Sequence, residues 1–167
     1  MMHMNTMREK VISLLGEVKR NGIENLIQFV KESDYLTGAS CYSHHKGYNG
    51  LMMHSLEVLD YMLKNLCGLP RESVILVALC HDLGKARVNG KKIGPGSHPS
   101  RSIYILEQCG VELTEDERNA IRNHHPKGWG ELFNSAFASP LQMYLHLGDC
   151  KSTGLNKSGV TYRFSAI

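Results

Sequence analysis

The five cysteines of this 167-residue chain (Cys41, Cys67, Cys80, Cys109 and Cys150) include no Cys-x-x-Cys pair. They are scattered, so they read as reduced thiols of a cytosolic protein rather than as a disulfide framework. No apolar run approaches the ~20 residues that a membrane span requires. The start, Met1-Met-His-Met-Asn-Thr-Met7, has neither an apolar core segment nor a cleavage site, so no signal peptide is expected. These absences make a cytoplasmic protein the expectation. Aromatic residues are 7% of the chain with a single Trp, and Trp129 alone is no base-stacking platform. The net charge of +3 suits an anionic substrate but does not indicate a DNA-wrapping surface. Internal repeats, low-complexity segments and convincing alternating strands are also missing.

What is present is ordinary for a globular domain. Hydrophobic residues make up 42% and charged residues 21%. The length suits one domain with a full hydrophobic core.

Nearly every patterned segment reads as helix, so the fold class expected is all-α, a helical bundle. Thr6 is a candidate cap for a helix to about Lys19, with Val11, Leu14, Leu15 and Val18 on one face. Asn21-Gly22 ends it, and a second short helix carries Leu26, Ile27, Phe29 and Val30 to Ser33. Residues 34–50 look irregular. From Leu51 to Leu66 a strong helix places Met52, Leu56, Leu59, Leu63 and Leu66 on one stripe, widened by Leu51, Val58 and Met62. Glu57, Asp60 and Lys64 form its wet face, and His54 points inward. Pro70 suits the start of the next helix, which is apolar all round from Val74 to Cys80 and therefore central. Arg87 to Gly96 reads as a loop. Ser97 or Ser100 caps a helix carrying Ile103, Ile105 and Leu106, stopped by Gly110. Thr114-Glu-Asp-Glu117 fits a capping box for a helix reaching His124-His125, before Pro126. Pro140 opens a last helix through Asp149. The boundaries expected are N-terminal helices over 1–33, a core over 40–153 and a polar tail over 154–167.

The most informative stretch is Val74-Ile-Leu-Val-Ala-Leu-Cys-His-Asp-Leu-Gly-Lys85. Its apolar run delivers two strong metal-binding side chains, His81 and Asp82, to the end of a central helix. His54, His81, Asp82 and Asp149 all sit in or at the ends of helices that must pack centrally. Burying an unpaired charge there costs on the order of several kcal/mol, and coordination to a divalent cation removes that cost. His98, His124 and His125 add three imidazoles, enough for a second ion, with Asp82 able to bridge. Such a ligand set accepts Fe, Mn, Zn and similar ions.

Blander readings stand beside these. His81-Asp82 fits a hydrogen-bonded helix end, and His54 fits a satisfied core histidine. His98 suits an ordinary loop, and cationic His124-His125 suits a helix C-terminus. Asp149 also fits a cap or salt bridge. Lys85 fits a solvated helix-end charge, and Lys91-Lys92 a wet loop. His146, one turn before Asp149, is read as structural.

In the order His54, His81-Asp82, Asp149 the chain resembles the HD-domain metal-dependent phosphohydrolases. The additions His81-Asp82-Leu-Gly-Lys85, His98-Pro99 and His124-His125 are similar to the binuclear branch of that superfamily. The lead-in His44-His45-Lys-Gly-Tyr-Asn-Gly50-Leu51-Met-Met-His54 is similar to the HD domains of some bacterial 3′–5′ exoribonucleases. The resemblance implies a first metal held by His54, His81, Asp82 and Asp149, and a second held by His98 and one or both of His124 and His125. It also implies catalytic roles for Asp82 and Lys85, with Lys85 facing the phosphate. His45, Arg101 and Lys127 are the candidates for substrate contact. The implied activity is hydrolysis of a nucleotide or related phosphoester by metal-activated water. The alternatives are a nuclease acting on RNA or DNA ends and a non-catalytic nucleotide-sensing domain. After His124-His125 the chain reads Pro-Lys-Gly-Trp-Gly, without the Gly-Tyr-Pro element of the cyclic-di-GMP phosphodiesterases, which points away from that substrate. Metal identity, one ion or two, and oligomeric state stay open.

Overall fold

A computed structural model describes residues 4–38, 50–65, 68–125 and 139–153. Seven α-helices appear among them: α1 (Met4–Glu17), α2 (Ile23–Glu32), α3 (Gly50–Asn65), α4 (Arg71–Cys80), α5 (His98–Gln108), α6 (Glu115–Arg122) and α7 (Pro140–Ser152). Short 3-10 turns follow α2 (Asp34–Leu36) and α4 (Leu83–Lys85).

The bundle is built round α4. Every residue from Ser73 to Cys80 is buried, as an all-apolar helix requires. One continuous core joins Val11, Leu15 and Val18 of the N-terminal helix and the turn after it to Leu26, Leu51, Val58, Ile75, Leu106, Ile121 and Leu145. α3 packs against both α4 and α7, while α6 packs against α7, α5 and α4. The two N-terminal helices lie against the same core, with α1 touching α3 and α4.

Several local expectations need correcting. α1 begins at Met4, so Thr6 lies inside the helix rather than capping it. In α3 the buried arc is Leu51, Met52, Val58, Leu59 and Met62, with His54 and Ser55 beside them. Leu63 is 39% exposed. The arc is displaced because α4 and α7 clasp this helix together. α6 stops at Arg122 instead of running to His124-His125. The residue before a proline is pushed away from the helical region, and Pro126 imposes that on His125. The 87–96 loop contains a small antiparallel hairpin pairing Arg87 with Lys92 and Val88 with Lys91. Its turn residues Asn89 and Gly90 have φ of 51° and 75°, the primed turn that matches strand twist.

Other expectations are met. Thr114 accepts from Glu117 N–H while the Glu117 carboxylate accepts from Thr114 N–H, completing the capping box. Pro140 opens α7; Ser97 stands at the N-cap position of α5, but its side chain makes no capping hydrogen bond to the helix. Cys80 and Cys109 are buried free thiols, and Cys150 is buried beside His146. No described helix is long and apolar enough to cross a membrane. Gly22 shows why the first two helices turn where they do. Its φ is 81°, and a Cβ there would lie 2.4–2.6 Å from the backbone of residues 109–111. Only glycine fits both constraints.

Candidate metal centre

Helix ends bring the polar residues of the core together. α4 ends at Cys80, and His81 N–H still bonds Val77 O at 2.9 Å, so His81 and Asp82 leave the helix already deep in the bundle. Buried Tyr35 donates to Leu79 O at 2.6 Å and satisfies one of the carbonyls that a helix C-terminus leaves open. His124 and His125 follow the end of α6, Asp149 lies in the last turn of α7, His98 opens α5, and His54 sits near the start of α3.

These residues form two groups that share Asp82, and in each group one ligand atom per residue lies within 4.8 Å of every other. The first group is His54, His81, Asp82 and Asp149, all buried. His54 Nε2 is 3.2 Å from His81 Nε2, 3.5 Å from Asp82 Oδ2 and 3.0 Å from Asp149 Oδ1. His81 Nε2 is 3.6 Å from Asp82 Oδ2. The second group is Asp82, His98, His124 and His125. His98 Nε2 and His124 Nε2 lie 3.2 and 3.5 Å from Asp82 Oδ1 and 3.4 Å from each other. His125 is half-exposed, and its Nδ1 is 3.3 Å from Asp149 Oδ2. The two oxygens of Asp82 therefore face opposite groups.

The far ring nitrogens are tied down. His81 Nδ1 is 2.9 Å from Ala78 O and His124 Nδ1 is 2.6 Å from Ile121 O. A carbonyl only accepts, so each imidazole carries its proton on Nδ1 and turns the Nε2 lone pair inward. His146 Nδ1 in turn donates to His124 O at 2.8 Å, so the residue read as structural holds the backbone of a cluster histidine.

Electrostatics agree with a cation site. Burial pushes His81 down to about 3 and His98 down to about 4, which keeps both neutral and able to donate a lone pair. Burial also lowers His125. His124 differs: burial lowers it, but the neighbouring Asp82 carboxylate outweighs that and raises it. Burial alone would raise the Asp82 carboxyl, yet His81, His124 and Lys85 hold it well below the usual carboxylate range. Asp149 is likewise raised by burial, but the neighbouring His54 and His81 imidazoles bring it down to about 2.

The residues fit divalent metals on an observation of their own. Among the described residues Asp82 Oδ1 is buried with no hydrogen-bond partner, although two imidazole nitrogens lie within 3.5 Å. An orphaned buried carboxylate oxygen is costly, and an ion shared with His98 and His124 would satisfy it. Imidazole and carboxylate donors suit Fe, Mn, Zn and their neighbours, without choosing among them.

Of the other sequence candidates, Lys85 Nζ is 2.6 Å from Asp82 Oδ2 and its side chain is 22% exposed. Arg101 donates from Nε to Gly84 O at 2.9 Å and from Nη1 to Gly96 O, so it braces the turn carrying Lys85. His45 and Lys127 lie outside the described residues.

Ser102, unmarked in the sequence, and Gly84 of the His81-Asp82-Leu-Gly-Lys85 stretch hold the groups in register. Ser102 is fully buried; its hydroxyl accepts from Gly84 N–H at 2.8 Å and lies 2.8 Å from His81 O and 3.0 Å from His98 O. Gly84 permits this approach, because a Cβ there would be 2.1 Å from His98 O. Serine and glycine are too common for their sequence positions to have signalled that role.

No curated protein and no solved structure matches the chain. The pattern of the family described as HD domain matches residues 51–155, well over half the chain and every residue of both groups. The chain belongs to the HD-domain family.

Proposed function

We propose that this protein is a metal-dependent phosphohydrolase of the binuclear kind, hydrolysing a nucleotide or a related phosphoester. The observation that carries the reading is Asp82, one carboxylate with each oxygen turned to a separate set of histidines. His54, His81, Asp82 and Asp149 would hold one divalent ion, and Asp82, His98, His124 and His125 a second. Bound there, the ions would supply a water of pKa about 7 and positive charge opposite the phosphoryl oxygens.

The chain's own residues do the rest. Neutral His81 and His98 offer lone pairs at neutral pH without first losing a proton. Lys85, partly exposed beside Asp82, is placed to meet a phosphate entering from solvent and to balance charge on the departing oxygen. Arg101, with Nε and Nη1 committed to carbonyls, adds positive charge through space and fixes the turn that aims Lys85. His45 and Lys127 remain proposed substrate contacts.

A second reading, a nuclease working on RNA or DNA ends, is favoured by a separate feature. From Leu83 to Leu106 there is no acidic residue, while Lys85, Arg87, Lys91, Lys92 and Arg101 all carry positive charge. Arg87, Lys91 and Lys92 are exposed on the hairpin that follows Lys85, a surface that suits a polyanion.

The test is hydrolysis by Mn²⁺-loaded protein of bis(p-nitrophenyl) phosphate, a nucleotide panel and short oligonucleotides. Turnover that Asp82→Ala abolishes, with the helical circular dichroism retained, is the expected result. Turnover confined to oligonucleotides selects the nuclease reading. Nucleotide binding without turnover on any substrate replaces the enzyme with a sensing domain.

A further inference from the structure

His81 and His124 share one device for orienting their rings: each Nδ1 meets the carbonyl three residues earlier in its own chain segment. His54 is held differently. Its Nδ1 lies 3.0 Å from the hydroxyl of Ser152 on α7, and that hydroxyl donates to Glu57 Oε2 at 2.5 Å. A hydroxyl has one proton. With that proton given to Glu57, Ser152 Oγ accepts from His54 Nδ1–H, which leaves the Nε2 lone pair facing Asp149 and Asp82.

The arrangement follows from helix geometry. His54 and Glu57 are three apart on α3, and Asp149 and Ser152 are three apart on α7, so each pair shares a helix face. The inner residues of the pairs meet each other (His54 Nε2 to Asp149 Oδ1, 3.0 Å), and the outer residues meet as well. Gly148 lets the helices come this close, since a Cβ there would already stand 3.2 Å from Val58 Cγ1 and Tyr61 Cδ1. Glu57 itself is exposed and lines the surface groove between α3 and α7.

We infer that Glu57, acting through Ser152, is a positioning residue for His54: it fixes the Nδ1–H tautomer and strengthens Nε2 as a ligand. The inference rests on the reading of His54 as a metal ligand. A surface carboxylate on the wet face of α3 thereby sets the affinity of an ion buried beneath it. Outer partners of this kind typically carry about 10- to 100-fold of metal affinity.

The test is Mn²⁺ titration of metal-free protein against a competing chelator, using the unsubstituted chain, Ser152→Ala, Ser152→Thr and Glu57→Ala. One of the two Mn²⁺ affinities is expected to fall about 10-fold or more in Ser152→Ala, to fall in the same direction in Glu57→Ala, and to be restored in Ser152→Thr. In Zn²⁺-loaded protein the exchange-protected Nδ1–H resonance of His54 is expected to vanish in Ser152→Ala. Unchanged affinity in Glu57→Ala alone removes Glu57 from the assignment, and unchanged affinity in both variants overturns it. Failure of the unsubstituted chain to take up Mn²⁺ is a different result: it overturns the metal centre, and this inference with it.

Discussion

Glu117 is the residue whose loss should be felt furthest from where it sits. Its carboxylate is fully buried and accepts from Arg20 Nη1 and Nη2 at 2.6 Å each, from Ser73 Oγ at 2.6 Å and from Thr114 N–H at 2.9 Å. It therefore joins the starts of α4 and α6, the two helices whose far ends deliver His81, Asp82, His124 and His125. Glu117→Gln keeps the volume but removes the charge and sets an amide N–H against donors. Breaking a buried pair by removing one partner costs about 3–5 kcal/mol. The Arg20 side chain is 20% exposed, so solvent screening favours the lower end, about 3 kcal/mol. For a chain of this length that is a fall in Tm of about 6–12 °C. The pH dependence has a definite sign. Burial raises Glu117, but the Arg20 and Ser73 hydrogen bonds hold it below its usual value. A group depressed in the folded state contributes stability above its unfolded pKa of about 4.3 and loses it as pH falls through the folded value. The gap between wild type and Glu117→Gln should be full at pH 7 and close progressively below about pH 4. Thermal melts at both pH values measure it. A gap under about 1 kcal/mol at pH 7, or one that does not narrow in acid, would refute the argument.

The other predictions concern the centre directly. Loading at a free Mn²⁺ concentration 100 times Kd should add about 2.7 kcal/mol per site, raising Tm by roughly 5–11 °C each; scanning calorimetry with and without chelator checks it, and no shift would count against both sites. Ser102→Ala strands the Gly84 N–H and should cost about 1–3 kcal/mol while lowering metal occupancy below that of wild type, read by elemental analysis. Lys85→Met should cut kcat about 100-fold while leaving metal content unchanged, since Lys85 is argued to act on the substrate phosphate rather than on the ions; a parallel loss of metal would assign it to the centre instead.

Periodicity made the bundle readable where one face had to choose between core and water. α4 has no polar face, so its centrality followed from composition, and the capping box at Thr114 marked the start of α6. What escaped was set by neighbours. The displaced burial of α3 depends on two partners clasping it, and no pattern within residues 51–66 records where they stand. The hairpin at 87–92 carried an Asn-Gly turn signal, but its strands are two residues long, too short for any alternation to show. Histidine and aspartate announced the site because their burial demands an explanation. Ser102, Ser152 and Glu57 did not, because a hydroxyl or a surface carboxylate gains its role only from a helix more than a dozen residues away in sequence.

The way the helices converge explains why this particular place should hold cations. α4, α6 and α7 all bring their C-terminal turns to the cluster, through His81 and Asp82, His124, and Asp149. Each such end carries about half a negative charge from its unpaired carbonyls. Two buried carboxylates add to the same volume, and among the described lysines and arginines only Lys85 makes an ion pair with either. Burial meanwhile holds His81 and His98 neutral, so they add no compensating charge. Even with the positive starts of α3 and α5 and the Lys85 ammonium set against them, three negative helix ends and two carboxylates leave the site poorly balanced for anions and well balanced for one or two divalent ions. Under the proposed function, phosphate would approach this centre only with that positive charge in place, so metal binding would precede substrate binding. Inorganic phosphate should accordingly bind the Mn²⁺-loaded protein and fail to bind the metal-free protein in calorimetric titration, and equal binding to both would break the argument at its electrostatic step.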